Sequence, residues 1–199
     1  MTDEPGFVVR GGARDLAPLP AEAVLDRLAS FEARDVRMFD RDVPVDPAEF
    51  RDGERIVVDG VRRWLAAGKS VYAFNACSHF ADVRALCLRI GELLGVTAFA
   101  NLYLSPAQAS AYKRHRDKRD RCVVQASGAK RWWLEHPVPC LEDGSITERS
   151  DLVLDAGDLM YLSRHNEHEA RALDAGSVHL TLRLLGEPPP PERCRLLQT

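Results

Sequence analysis

A chain of 199 residues, 45% of them hydrophobic and 29% charged, has enough apolar material for one buried core. Its formal net charge of −3 lacks the broad basic footprint of a nucleic-acid binder. No apolar run of roughly eighteen residues exists to cross a membrane as a helix. Cys77, Cys87, Cys122, Cys140 and Cys194 are odd in number and form no Cys-x-x-Cys pair, so they read as free thiols in a reducing cytoplasm. The opening Met1-Thr2-Asp3-Glu4-Pro5-Gly6 has no basic segment followed by an apolar one, which argues against a secretory leader.

In chain order, residues 20–34 carry Val24, Leu25, Leu28 and Phe31 at helical spacing, predicting a helix opened by Pro20 and ended near Asp35. Residues 35–55 are rich in charge and proline and read as a loop wrapping the rest. A second helix is expected over 58–67, with Val61, Trp64 and Leu65 on one side and Gly68 as the stop. Residues 70–74 read as a strand. Residues 80–94 show the clearest helical stripe, Val83, Leu86, Cys87, Ile90 and Leu94, closed by Gly95. From Thr97 the pattern changes to short strands. They are expected over 97–104, 121–125, 131–134, 152–154, 159–162 and 177–185, with a hairpin turn at Ser127-Gly128-Ala129. In the last of them His179, Thr181 and Arg183 share one side, and Val178, Leu180 and Leu182 the other. Such even spacing suggests a mainly β fold with a helical N-terminal part, a jelly roll that encloses a small-ligand cavity. The organisation expected is one domain over 1–199: a mostly helical scaffold with a first strand (1–96), a jelly-roll core (97–186) and a proline-rich tail (187–199).

The chemistry begins at His115-Arg116-Asp117. Two residues apart on an extended segment, His115 and Asp117 point to the same face. His168 lies fifty-three residues after His115, beyond the tight loop 163–167, where a strand would bring it alongside. Two imidazoles and one carboxylate are the donor set of a mononuclear non-haem iron(II) centre, with three octahedral positions left for cosubstrate and dioxygen. His165 competes for the third place, but the spacing after Tyr161 favours His168. His79 and His136 have loop-like neighbours and read as surface residues, and Trp132 and Trp133 read as packing. The basic run 113–119 is interrupted by Asp117 and followed by Asp120. It reads as the rim of an active-site mouth that attracts an acidic or peptide substrate.

Five spaced elements carry a resemblance. They are Asn101-Leu102-Tyr103-Leu104-Ser105-Pro106; His115-Arg116-Asp117; the stretch 124–132 with Gln125, Gly128, Lys130 and Trp132; the stretch 154–162 with Gly157, Asp158 and Tyr161; and His168-Glu169. In this order, across roughly residues 66–185, the chain resembles the JmjC-type 2-oxoglutarate oxygenases of the cupin superfamily, and among them the ribosomal oxygenases. The resemblance implies a double-stranded β-helix, with iron(II) as metal, 2-oxoglutarate as cosubstrate and dioxygen as oxidant. It implies that His115, Asp117 and His168 are the iron ligands, that Lys130 pairs with the distal carboxylate of 2-oxoglutarate, and that Asn101 lines the same pocket. There are departures. Arg183 stands where relatives usually carry a smaller polar residue, the loop before His168 reads Ser163-Arg164-His165-Asn166-Glu167 where relatives are rich in proline and glycine, and the helical dimerisation and winged-helix segments have no counterpart after Gly186. Monomer and homodimer both stay open.

Elementary chemistry leads to similar roles. A 2-oxo acid chelates iron through its keto oxygen and near carboxylate, and its far carboxylate needs a cation inside a small cavity. Among the four lysines, Lys69, Lys113, Lys118 and Lys130, only Lys130 precedes an aromatic pair on a strand. Arg183 is the fallback anchor, with Thr181 beside it. His179 faces the same side and either lines the pocket or packs in the core. The expected activity is hydroxylation of an amino-acid side chain in a peptide, a protein or a small amino-acid-derived compound, with no nucleic-acid or membrane partner. A carboxylate at Asp117 fills the site that a halogenase leaves for chloride. The alternative is a metal-binding cupin-like module without oxygenase turnover, serving ligand binding or regulation.

Overall fold

Alternating apolar and polar residues along 177–185 require a strand with two different faces, and that strand organises the molecule. The computed structural model describes residues 5–16, 18–148, 152–186 and 197. In chain order its elements are β1 (Gly6–Val9), α1 (Ala21–Leu28), β2 (Val36–Asp40), β3 (Val43–Pro44), β4 (Arg51–Asp52) and β5 (Arg55–Ile56). Then come α2 (Val58–Ala66), β6 (Ser70–Ala73), α3 (Ala81–Leu94) and β7 (Thr97–Ser105). The C-terminal half contributes β8 (Arg121–Leu134), β9 (Leu152–Asp155), β10 (Leu159–Leu162) and β11 (His168–Leu185). Among the described residues, one antiparallel sheet runs β1-β10-β8-β11-β7-β6-β2-β3, with β9 paired to β8, and β4–β5 form a separate short hairpin.

β8 and β11 pair along nearly their whole length, from Arg121↔Arg183 to Leu134↔His168, with register shifts between Ala172 and Ser177 and between Val178 and His179. Both strands bend midway, at Gly128 (φ +62°) and Gly176 (φ +73°). A Cβ on Gly128 would lie 2.2 Å from the carbonyl oxygen of Gly176, so only glycine permits the two backbones to cross there. The bent pair curls the sheet into a double-stranded β-helix, the fold class expected. Leu102, Leu104, Cys122, Val124, Leu180 and Leu182 face outward into one core with Val24 and Leu28 of α1 and Val83, Leu86, Ile90 and Leu94 of α3. Val123, Trp132, Leu152, Met160 and Leu162 pack in a second cluster on the other side of the sheet.

Several local expectations change. Ser127-Gly128-Ala129 is not a hairpin: its two limbs belong to one bent strand, because each pairs with β11 and not with the other. Lys130 therefore lies within a long strand and does not start a second one. The strand expected over 177–185 begins at His168. α1 ends at Leu28, where the Ser30 hydroxyl donates to the Arg27 carbonyl and Phe31 leaves the helix to stack on the His79 ring at 3.6 Å. His79 is thus half-buried, while His136 is exposed as expected. The 35–55 segment holds β2 and β3, and Val36 and Met38 bury one face of β2 against β6. The N-terminal part therefore contributes β1, β2, β3 and β6 to the sheet in addition to its helices. The proline-rich stretch 187–192 and Cys194 lie outside the described residues.

Gly128→Ala should lower stability by at least about 2 kcal/mol, from the positive φ together with the backbone clash. A urea midpoint unchanged from the parent chain would contradict this account of the bend.

Candidate active site

His115 belongs to no long strand, yet its backbone is held firmly. Its N–H donates to the carbonyl of His168 at 3.0 Å, and the His168 N–H donates back to the carbonyl of His115 at 2.8 Å. This antiparallel bridge sets the two residues directly opposite, so both rings leave the same face, with centroids 4.5 Å apart. Each imidazole is oriented through Nδ1, which donates to a backbone carbonyl: Lys113 at 2.8 Å for His115 and Asn166 at 3.1 Å for His168. Those bonds assign the Nδ1–H tautomer and leave both Nε2 lone pairs available. The Nε2 of His168 stands 4.0 Å from Oδ2 of Asp117. Burial, aided by the neighbouring His115, pushes the His168 imidazole down to about 4, so it is neutral at physiological pH.

No three His, Cys, Asp or Glu side chains among the described residues form a ready cage. The Asp117 carboxylate instead makes its nearer contact with the guanidinium of Arg121, Oδ2 to Nε 3.3 Å. His165 is exposed on the loop, and its Nε2 accepts from Arg164.

The three residues open into a cavity of about 460 Å³ that is also lined by Asn101, Lys130, His179, Thr181 and Arg183. The candidates read from the sequence therefore share one chamber. Lys130 is 2% exposed, and its Nζ donates to the Ser105 hydroxyl at 3.1 Å. Ser105 accepts in turn from Ser70 at 2.9 Å. No carboxylate pairs with Lys130 among the described residues, and burial alone brings its ammonium down to about 7. His179 stacks on Tyr103 at 4.6 Å and is also held well below its ordinary range, by burial and by Lys130. Both readings of His179 hold: it is buried and it lines the cavity. The Asn101 amide donates to the Tyr72 hydroxyl at 2.7 Å and accepts from the Asn75 N–H at 3.3 Å.

Other cavity residues went unread in the sequence. Tyr72 of β6, Tyr103 of β7 and Tyr112 of the β7–β8 connection form an aromatic wall, Tyr72 to Tyr103 at 4.6 Å and Tyr112 to His115 at 5.6 Å. Asp42, at the tight β2–β3 turn, reaches the mouth because Arg41 and Asp42 donate their backbone N–H groups to Ser110 and Ala111. Arg121 enters from the first residue of β8. The basic run 113–119 stands on this rim, with Arg114 over the Trp133 ring at 3.4 Å and Arg116 paired to Glu135. Trp132 is the buried, cavity-lining member of the tryptophan pair.

A family model described as the JmjC domain matches residues 73–188, more than half of the chain. The chain belongs to the JmjC domain family. Among curated proteins, one called bifunctional lysine-specific demethylase and histidyl-hydroxylase NO66, from Drosophila persimilis, is 29% identical over 156 residues. The match covers 69% of this chain and 23% of that protein. The NO66 of Brugia malayi is 27% identical over 143 residues, covering 64% of this chain and 20% of its own. The chain thus spans a quarter or less of the length of these relatives. The crystal structure of Escherichia coli ribosomal oxygenase YcfD shares the fold, with a TM-score of 0.64 at 17% identity over 96% of this chain and 50% of that one. A second structure of the same oxygenase, in complex with cobalt and 2-oxoglutarate, superposes with a TM-score of 0.62 at 15% identity, covering 94% and 49%.

In this JmjC domain the loop before His168 is tied down by two polar residues. Asn166 is fully buried; its amide donates to the carbonyls of Pro5 and His136 and accepts from the His136 N–H, while its own carbonyl holds the His168 ring. Asp120 accepts from the Tyr161 hydroxyl and from the Arg164 N–H, each at 2.9 Å. Asn166→Ala should cost about 2–4 kcal/mol through unsatisfied buried groups. It should also weaken binding of cobalt(II), used as a probe, by about tenfold or more, because the outer partner of one imidazole is displaced. Denaturant unfolding and cobalt titration check both, and unchanged cobalt affinity would remove Asn166 from the site.

Proposed function

We propose that this JmjC domain is an iron(II)- and 2-oxoglutarate-dependent oxygenase that hydroxylates an amino-acid side chain within a protein, read as one domain over 1–199. The observation that carries the proposal is the His115–His168 bridge, which sets two Nε2 atoms, their Nδ1 groups bound to backbone carbonyls, on one face beside Asp117. The donor set fits a facial two-histidine, one-carboxylate metal site, and His115, Asp117 and His168 would hold the iron. When bound, iron(II) with 2-oxoglutarate activates dioxygen, giving succinate and carbon dioxide and one oxygen atom for a C–H bond. The relatives named as histidyl-hydroxylase and ribosomal oxygenase support a protein side chain as acceptor.

The chain's own residues divide the remaining work. Lys130 would take the distal carboxylate of 2-oxoglutarate, supported by its burial without a counter-charge; Arg183, the fallback, is exposed. Ser105 orients the ammonium, and Asn101 and Thr181 line the walls between. Asp117 would exchange its contact with Arg121 for the metal. Tyr72, Tyr103 and Tyr112 form one aromatic wall of the chamber, against which the substrate would pack. A cytoplasmic setting, where iron stays ferrous, is supported by the free thiols of Cys77, Cys87 and Cys140.

Anaerobic protein given iron(II) and then 2-oxoglutarate should develop a weak visible charge-transfer band, and oxygen should convert that complex to succinate. His115→Ala should lose both signals. Metal binding with neither signal would favour a binding module over an oxygenase.

The Lys130 assignment has its own pH signature. In the free protein the ammonium is charged below about 7 and neutral above it. A bound carboxylate raises that value, so binding takes up a proton above pH 7 and little below it. The 2-oxoglutarate Kd should therefore rise up to about tenfold per pH unit above 7. Calorimetry in buffers of different ionisation enthalpy reads the proton directly. Lys130→Ala should abolish this uptake and raise Kd; pH-independent binding would assign the anchor elsewhere.

A further inference from the structure

We infer that the cavity holds a second anion subsite, formed by the guanidinium groups of Arg121 and Arg183, which takes a carboxylate of the substrate to be oxidised. The inference rests on the reading above in one respect: Lys130 is reserved for 2-oxoglutarate.

Arg121 and Arg183 are direct cross-strand partners on β8 and β11, and both line the cavity. Like charges placed directly opposite repel, so the pairing works against the sheet unless something lies between them. Both also act on one atom: burial raises the Tyr72 hydroxyl, while a hydrogen bond with Tyr103 and the charges of Arg121 and Arg183 pull it back. Tyr72 lines the same cavity as the two arginines. Their own partners are few. Arg121 touches Asp117, but its Nη1 is buried without a hydrogen bond, and Arg183 makes no hydrogen bond or ion pair among the described residues. One carboxylate thus offsets two cations, and it is the carboxylate that the metal would claim. An arginine presents planar, forked donors that match a carboxylate in shape and charge.

Position separates this subsite from Lys130. The Lys130 Nζ stands 5.9 Å from the Tyr103 ring, on which His179 stacks, and Arg183 lies four residues beyond His179 along β11, roughly 13 Å of strand. The two cationic ends serve different anions, and Asp117 stands at the Arg121 end. Asp42 lines the same chamber, which disfavours a doubly charged phosphate and favours a singly charged carboxylate. That carboxylate comes either from a main-chain terminus or from an acidic side chain of the protein substrate.

The test uses ¹⁵N-labelled full-length protein loaded with zinc and saturated with ¹³C-labelled 2-oxoglutarate. Three probes are titrated while the arginine Nε–H resonances are followed: N-acetylglycine (a terminal carboxylate), N-acetylaspartate methylamide (a side-chain carboxylate) and N-acetylglycinamide (neutral). At least one carboxylate should shift the Arg121 and Arg183 signals saturably, and the neutral amide should shift neither. The tighter of the two carboxylates identifies the source. Arg183→Gln, at an exposed position that the fold does not need, should weaken that binding about tenfold or more. Arg121→Lys should weaken it too, while keeping a cation beside Asp117. Absence of any shift overturns the inference. So does a shift accompanied by release of 2-oxoglutarate, which would assign the arginines to the cosubstrate. Failure of zinc or 2-oxoglutarate to bind at the outset counts against the oxygenase reading alone, and the same titration on metal-free protein still decides the arginine subsite.

Discussion

Two backbone hydrogen bonds, exchanged between His115 and His168, are the constraint on which the site depends. Neither residue could place its ring unaided. His115 sits in an irregular connection between β7 and β8, and His168 is the first residue of β11. An antiparallel bridge removes the freedom of both at once: opposed residues in such a pair present their side chains on the same face, and the ring separation follows. The carbonyls of Lys113 and Asn166 then fix ring rotation through Nδ1, and Asn166 is itself pinned to Pro5 and His136. Rigidity therefore passes from the N-terminal segment through a buried amide to one imidazole. A site assembled in this way is preorganised, so a metal would not have to order the two rings.

The long bent strands supply the rest by period alone. β7, β8 and β11 lie side by side in a register that sets Asn101 beside Thr181, Tyr103 beside His179, and Arg121 beside Arg183. Because side chains alternate, every second residue enters the chamber and its neighbours enter the helical core. His179, Thr181 and Arg183 share the chamber for the same reason that Leu180 and Leu182 share the core. A one-residue slip would exchange polar for apolar along the whole strand. The apolar packing against α3 thus enforces the position of the polar site.

That periodicity explains what was legible in the amino-acid order. The α3 stripe, the β7 and β11 alternation and the spacing from His115 to His168 are local or repetitive signals, and they survive folding. The bend at Gly128 was misread because glycine after serine marks a turn in most strands, whereas its meaning here depends on Gly176, forty-eight residues away. β2 was missed because its burying residues, Val36 and Met38, sit among charges and prolines. Tyr72, Tyr112, Arg121 and Asp42 escaped for a further reason: each reaches the chamber from a different element, and nothing local distinguishes a cavity tyrosine from a packing one. Asn166 carried no signal at all, since only three-dimensional neighbours reveal that all its amide bonds are satisfied.

Lys130 shows why the chamber is better read as a site than as a packing accident. An ammonium brought from 10.5 down to about 7 by burial forgoes roughly 4 kcal/mol of stability at neutral pH, a large part of what a domain has to spare. The sign is consistent. The unfolded chain keeps that proton up to the ordinary lysine range, so the protein without an anion beside Lys130 gains stability as pH rises from about 7 toward 10.5. A leucine or methionine in its place would relieve the penalty, and the Ser70–Ser105 pair that receives the ammonium is too weak to offset it. Groups perturbed this far inside a cavity concentrate where a ligand supplies the missing charge. Anion binding would then stabilise the fold and charge the lysine in one step. That coupling would account for a buried, uncompensated cation only a few residues along the sheet from the two histidines.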